Sequence, residues 1–174
     1  MEEQQPGQGL AGVPGLGLRP IVEQDRPFLC YLYGTLREPE LAMVTDWSPE
    51  RKREFVEQQF TAQDAYYREH YPGASLQLIE LHGEPIGRLY VDRWTAEIRV
   101  MDIALVPEAR GQGLGERLLR FMQDEAAAAG KALTIHVERF NPALRLYSRL
   151  GFRLKEDKGV YYFLEWLPGS PAGD

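Results

Sequence analysis

The chain has 174 residues and 44% hydrophobic content, enough for one substantial core and too little for two comfortable domains. Its formal charge of -6 speaks against a general nucleic-acid binder, whose footprint is a basic stripe, and suits a cationic small molecule or a lysine-bearing partner. Cys30 is the sole cysteine, and His70, His82 and His136 lie far apart, so no disulfide framework and no local cysteine or histidine ligand motif can be built, and no metal is expected.

The first residues, MEEQQPGQGLAGVPGLGLRP, are acidic and broken by glycine and proline, unlike the basic and continuously apolar start of a secretory signal. No apolar run approaches the roughly 18 residues of a membrane span, so the expectation is a cytoplasmic protein with no membrane association. Residues 1–17 and 169–174 read as flexible ends, leaving 18–168 as a single folded domain.

LRPIV, from Leu18, reads as a first strand. A helical segment follows over 23–36, with Phe28, Leu29, Leu32 and Leu36 at helical spacing. A second helix announces itself at Ser48, Pro49 and Glu50, in the order cap, first helical position and first-turn carboxylate. It should run to about Tyr71 and stop at Pro72 and Gly73. SLQLIEL and PIGRLYV flank His82 and Gly83 as an antiparallel hairpin, and AEIRVMDIALV reads as a longer strand. From Gly113 to Ala129 the apolar residues Leu114, Leu118, Phe121, Met122 and Ala126 line one face of a helix that Gly130 ends. KALTIHV is a strand, Pro142 to Leu150 a short helix, and RLKED and VYYFLEW close the pattern as two strands. Sheet with interspersed helices means an α/β (mixed α+β) fold. Its strand, helix, strand centre forms a right-handed crossover with two parallel strands.

The stretch after IALVP raises a chemical question, because R-G-Q-G-L-G places glycine at 111, 113 and 115 just where a helix begins. Glycine costs roughly 1 kcal/mol per helical position, so the spacing serves something other than local stability. A helix start offers unpaired N–H groups and partial positive charge, and glycine removes the Cβ atoms that would hold a pyrophosphate away. Arg110 adds a cation beside it. The dinucleotide fingerprint fails, since it needs glycine at 116 where Glu116 stands, and the P-loop lysine and hydroxyl are missing. A mononucleotide site is thereby disfavoured.

Arg110 to Gly115 resembles the Gln/Arg-x-x-Gly-x-Gly/Ala coenzyme A loop of the GNAT acetyltransferase superfamily. Further on, ALRLYSRLGF is similar to that family's second signature, with Ala143, Leu146, Tyr147, Gly151 and Phe152 in register. The likeness covers roughly Leu76 to Trp166, and it departs at Asn141, which stands one residue closer to Tyr147 than the family's asparagine does. The resemblance implies a central mixed, mostly antiparallel sheet whose parallel strand pair splays apart, flanked by helices. It implies acetyl transfer from acetyl-CoA to an amine, with the pantetheine arm along Ile103, Ala104 and Leu105. The diphosphate would lie on Arg110, Gly111, Gln112, Gly113, Leu114 and Gly115, with Asn141 and Tyr147 as further coenzyme contacts. The same fold holding acyl-CoA as a sensor without turnover is the alternative.

A lysine-type amine of pKa about 10.4 is only about one part in 10³ neutral at pH 7, so a general base is the larger catalytic need. A thiolate of pKa about 8.5 leaves more readily, and a proton donor refines that step. Tyr147 is the candidate donor, by its match to the family. Glu97 and Asp102 are the candidate bases, acting directly or through water; strand alternation places them on opposite faces. Asp102 is the stranger residue, a carboxylate in an apolar run that needs a partner if buried, and an arginine or backbone partner would make it structural. Gln59, Gln63, Tyr66 and Tyr67 are candidates for the acceptor wall, and His136 reads as structural. The acceptor is a small-molecule or protein amine, and a homodimer is compatible with the resemblance.

Overall fold

The computed structural model of the chain describes residues 9–173; the expectations for residues 1–8 and 174 lie outside it. Seven strands form one sheet: β1 (Leu16–Pro20), β2 (Ser75–Leu81), β3 (Glu84–Arg93), β4 (Glu97–Leu105), β5 (Ala132–Glu138), β6 (Arg153–Asp157) and β7 (Tyr161–Trp166). Their spatial order is β1-β2-β3-β4-β5-β7-β6. Every neighbouring pair is antiparallel except β4 and β5. The helices are α1 (Arg26–Ala42), α2 (Pro49–His70), α3 (Leu114–Ala129) and α4 (Leu144–Arg149). Among the described residues no helix is long and apolar enough to cross a membrane.

Helices cover both sides of the sheet. Leu118, Leu119, Met122 and Ala126 of α3, Tyr147 of α4 and Leu150 just after it pack with Leu89, Val91, Ile98, Val100, Leu133 and Ile135 of the central strands. On the other side Leu29, Leu32 and Tyr33 of α1 and Phe60 of α2 meet Leu78 and Ala104. Each fully buried leucine contributes about 1.5–3 kcal/mol; of the stripe that periodicity predicts on α3, Leu114, Leu118, Met122 and Ala126 are buried and Phe121 half-buried, with Leu119 and Gln123 buried beside them.

The punctuation of the second helix is as read: the Ser48 hydroxyl accepts from the N–H of Arg51 at 3.2 Å, with Pro49 at the first position. Gly130 ends α3 in the left-handed region at φ 66°, a conformation that costs glycine nothing. α1 begins later and runs further than its 23–36 expectation. Glu23–Asp25 is a 3-10 turn, held because the buried Asp25 carboxylate accepts from the N–H of Val22 and from the guanidinium fork of Arg19, each at 2.8 Å. At its far end α1 continues through Pro39, whose ring removes one helical bond without stopping the last turn.

Both ends are more ordered than composition suggests. Leu10 and Val13 pack against the core, and β1 starts at Leu16, so the expected tail is structured from residue 10. The Gly173 N–H donates to the Arg149 carbonyl at 3.1 Å, satisfying one of the orphan acceptors that a helix end leaves.

Candidate active site

The central pair holds the feature that matters most. β4 and β5 pair in parallel at Glu97↔Ala132, Ile98↔Leu133, Arg99↔Thr134 and Val100↔Ile135, and there the pairing ends. Beyond it β4 stays with β3 through Ile103, Ala104 and Leu105, whereas β5 follows β7 through His136, Val137 and Glu138. The strands part, and the edge of β4 that faces the gap has no ladder partner among the described residues.

A bulge sits at the fork. Tyr90 and Val91 are consecutive on β3, yet their partners on β4 are Asp102 and Val100, so Met101 is an extra residue. One inserted residue reverses the alternation beyond it. Asp102 lies opposite Tyr90 and Arg99 opposite Asp92, and since Tyr90 and Asp92 share a face, so do Asp102 and Arg99. Glu97, two residues before Arg99, shares that face as well. The expectation that the two carboxylates face opposite ways is therefore corrected: the bulge brings both to the side of α1 and α2.

They are not equally placed. Glu97 lies where β4 and β5 are still paired, and its Oε2 accepts from the Thr134 hydroxyl and from Arg99 at 3.5 Å. Asp102 stands at the fork. Its Oδ2 accepts from Arg88 Nη2 at 2.6 Å and from the Tyr67 hydroxyl at 3.2 Å, while Oδ1 has no hydrogen-bond partner among the described residues. Arg88, on β3, is only 2% exposed; the same Nη2 donates to Gln63 Oε1 at 2.7 Å, and its guanidinium lies 4.8 Å from the centre of the Tyr90 ring. Burial opposes the charge of Arg88, but the attraction of Asp102 and Tyr90 and the hydrogen bond to Asp102 together outweigh it and raise the guanidinium pKa, so Arg88 stays charged.

Gln63 and Tyr67 therefore point inward to this cluster. Burial, then the charge of Asp102, pushes the Tyr67 phenol far above its ordinary value, so it remains a donor. Tyr66 is elsewhere, half exposed and stacked on His70 at 4.2 Å, and Gln59 is exposed. Neither joins the fork. Arg88 itself is absent from the candidates read in the sequence. Its signal was one basic residue inside the apolar strand PIGRLYV, facing one acidic residue inside VMDIALV.

Tyr147 is buried on α4, edge-on to Phe152 at 5.6 Å, and its hydroxyl has no hydrogen-bond partner among the described residues. Burial, reinforced by the charge of Asp102, pushes its phenol well above the ordinary range, which keeps the proton on the oxygen at neutral pH. His136 lies past the fork on β5, stacked on Phe163 at 4.8 Å, with Nδ1 at 3.2 Å from Arg99 and Nε2 at 3.2 Å from Lys158. Burial first, then those two cations, holds its pKa below the usual value. Asn141 uses its Oδ1 to accept from the Ala143 N–H at 2.8 Å and shapes the turn into α4.

At the outer end of the gap, α3 begins at Leu114 with no side-chain cap. Gly111 and Gly113 have φ of 73° and 79°, so glycine there answers the backbone of the turn. Gly115 is different. Its backbone is helical and a Cβ would meet nothing within 4 Å, so neither conformation nor packing calls for glycine. The Arg110 Nε donates to the Leu105 carbonyl at 2.9 Å and its Nη2 to Thr35 at 3.2 Å, tying the turn to β4 and α1. Gln112 donates to the Glu108 carbonyl at 2.9 Å.

A splayed parallel pair beside a glycine turn and an uncapped helix is the layout that the resemblance implies, and the acetyltransferase (GNAT) domain model matches residues 72–154, which hold the fork and the turn. Over that stretch, a little under half of its length, the chain matches the GNAT acetyltransferase family. Solved GNAT structures share the fold. A PaiA N-acetyltransferase from Thermoplasma acidophilum in complex with coenzyme A superposes with a TM-score of 0.66 at 14% identity, covering 87% of this chain and 98% of that one. An acetyltransferase from Thermus thermophilus gives 0.58 at 23% identity, covering 87% and 96%. Arabidopsis thaliana Naa50, in complex with the bisubstrate analogue CoA-Ac-MVNAL, gives 0.56 at 16% identity, covering 87% and 98%.

Proposed function

We propose that the chain transfers an acetyl group from acetyl-CoA to a primary amine by direct attack, without a covalent enzyme intermediate. The observation that carries this reading is the parting of β4 from β5 after Val100 and Ile135, next to a helix start with free amides. An extended pantetheine arm can add to the open edge of β4 at Ile103 to Leu105, as a strand adds to a sheet. The amides of Leu114, Gly115 and Glu116 then meet the diphosphate, with Arg110, Gly111, Gln112 and Gly113 forming its rim. Neighbours solved with coenzyme A and with an analogue bearing it support the choice of carrier.

In this reading the acceptor enters from the α1 and α2 side and gives up a proton to Asp102, directly or through one water. Its nitrogen attacks the thioester carbonyl carbon, the carbon–sulfur bond breaks, the departing thiolate takes the Tyr147 proton, and the second proton lost by the new amide nitrogen returns through solvent to the Tyr147 oxygen. Glu97, bonded to Thr134 and Arg99, holds the base of the fork. The acceptor is a small molecule or a protein amine.

A thiol-release assay with acetyl-CoA and a panel of amines tests the reading. Release that requires both components and yields the acetylated amine supports it. Tight acetyl-CoA binding with no acetylation of any amine would make the chain a sensor instead.

A further inference from the structure

The Asp102 carboxylate is held on one side only. Both of its protein donors, Arg88 Nη2 at 2.6 Å and the Tyr67 hydroxyl at 3.2 Å, meet the same oxygen, Oδ2. With one oxygen pinned by two donors from different elements, rotation of the carboxylate is arrested and Oδ1 is left to whatever occupies the fork. The donors are themselves anchored. Arg88 is 2% exposed, spans to Gln63 on α2 at 2.7 Å, and rests on the Tyr90 ring, against which Tyr67 packs edge-on at 5.8 Å. The clamp thus joins β3, the bulged β4 and α2, the helix on the acceptor's side of the fork.

We propose that Arg88 is a positioning residue for acetyl transfer: with Tyr67 it fixes Asp102 Oδ2 so that Oδ1 faces the acceptor nitrogen, and through Gln63 and Tyr67 it makes that orientation depend on the seating of α2. This rests on the acetyltransferase reading. Arg88 touches neither substrate. Its guanidinium acts by geometry: Nη2 alone bonds Asp102 and Gln63 while the planar group rests on the Tyr90 ring, and a lysine ammonium, on a shorter stem and with no plane to stack, reproduces that placement only in part.

The experiment compares wild type, Arg88→Lys, Arg88→Met and Tyr67→Phe in steady-state acetylation of the best amine from the panel, with melting temperature and acetyl-CoA affinity measured alongside. Arg88→Met should lower kcat for the amine about a hundredfold, the lower end of what a positioned general base supplies, with acetyl-CoA affinity within twofold of wild type. Arg88→Lys should recover part of the loss. Because Arg88→Met leaves a carboxylate unpaired, at a cost that can prevent folding, Tyr67→Phe serves as the second test: it removes one donor, keeps the ring packed on Tyr90, and should lower kcat severalfold at unchanged melting temperature. Undiminished kcat in folded Arg88→Met, or in Tyr67→Phe, overturns the positioning role alone. A wild-type protein that acetylates no amine overturns the acetyltransferase reading, and this role with it.

Discussion

Val100 on β4 and Ile135 on β5 are the last residues at which the two central strands pair, and the sheet opens immediately beyond them. Everything chemically unusual in the chain gathers around that point: the Met101 bulge, the ion-paired Asp102, the unbonded Tyr147 hydroxyl and, at the far end of the gap, an uncapped helix start.

Tyr147→Phe separates donor from core residue. The hydroxyl has no protein partner among the described residues, so its loss should leave the melting temperature unchanged while the ring stays packed on Phe152. Turnover should fall about tenfold to a hundredfold with acetyl-CoA affinity within twofold, read from kcat and calorimetry. Unchanged turnover would return Tyr147 to the core.

Gly115→Leu tests the phosphate assignment in a direction that stability alone would not suggest. The helical backbone accepts leucine and the space is open, so the variant should be more stable by up to about 1 kcal/mol in urea unfolding. Its acetyl-CoA dissociation constant should nevertheless rise about tenfold or more, because the side chain covers the amides to which the proposed function assigns the diphosphate. Stronger folding with intact affinity would contradict the assignment. Gly113 is the poorer probe, since its φ of 79° adds backbone strain to any replacement.

His136 predicts a pH dependence. Its folded pKa lies below the unfolded value of about 6.5, so the unfolded chain binds more protons in the window between the two. Stability is complete above that window and falls as pH drops through it. Urea midpoints measured from pH 7 downward should decline in wild type, and His136→Gln should flatten the decline between about pH 6.5 and the folded value. Lys158→Met, by removing one of the flanking cations, should lessen it.

Much of this is legible in the sequence. The stripe on α3, the Ser48 cap, the hairpin at His82 and Gly83 and the parallel crossover all follow from local periodicity and turn chemistry, and the glycine turn points to a strand-to-helix junction. What is not legible depends on pairing across strands. Nothing in VMDIALV marks Met101 as the bulged residue, because a bulge is defined by the register of a partner, and without it alternation sends Glu97 and Asp102 to opposite faces. Arg88 escapes notice for the same reason: its meaning lies in Asp102, on another strand, and in Gln63 and Tyr67, on a helix. The glycines at 111 and 113 read as room for a ligand, whereas positive φ accounts for them and leaves Gly115 as the one that neither backbone nor packing explains.

The most direct test is a crystal structure of the chain soaked with acetyl-CoA. The pantetheine arm is expected in the gap between Ile103 to Leu105 and His136 to Glu138, the diphosphate on the amides of Leu114 to Glu116, and the thioester beside Tyr147 and Asp102. Coenzyme bound elsewhere, or a gap closed by continued pairing of β4 with β5, would contradict the assignment.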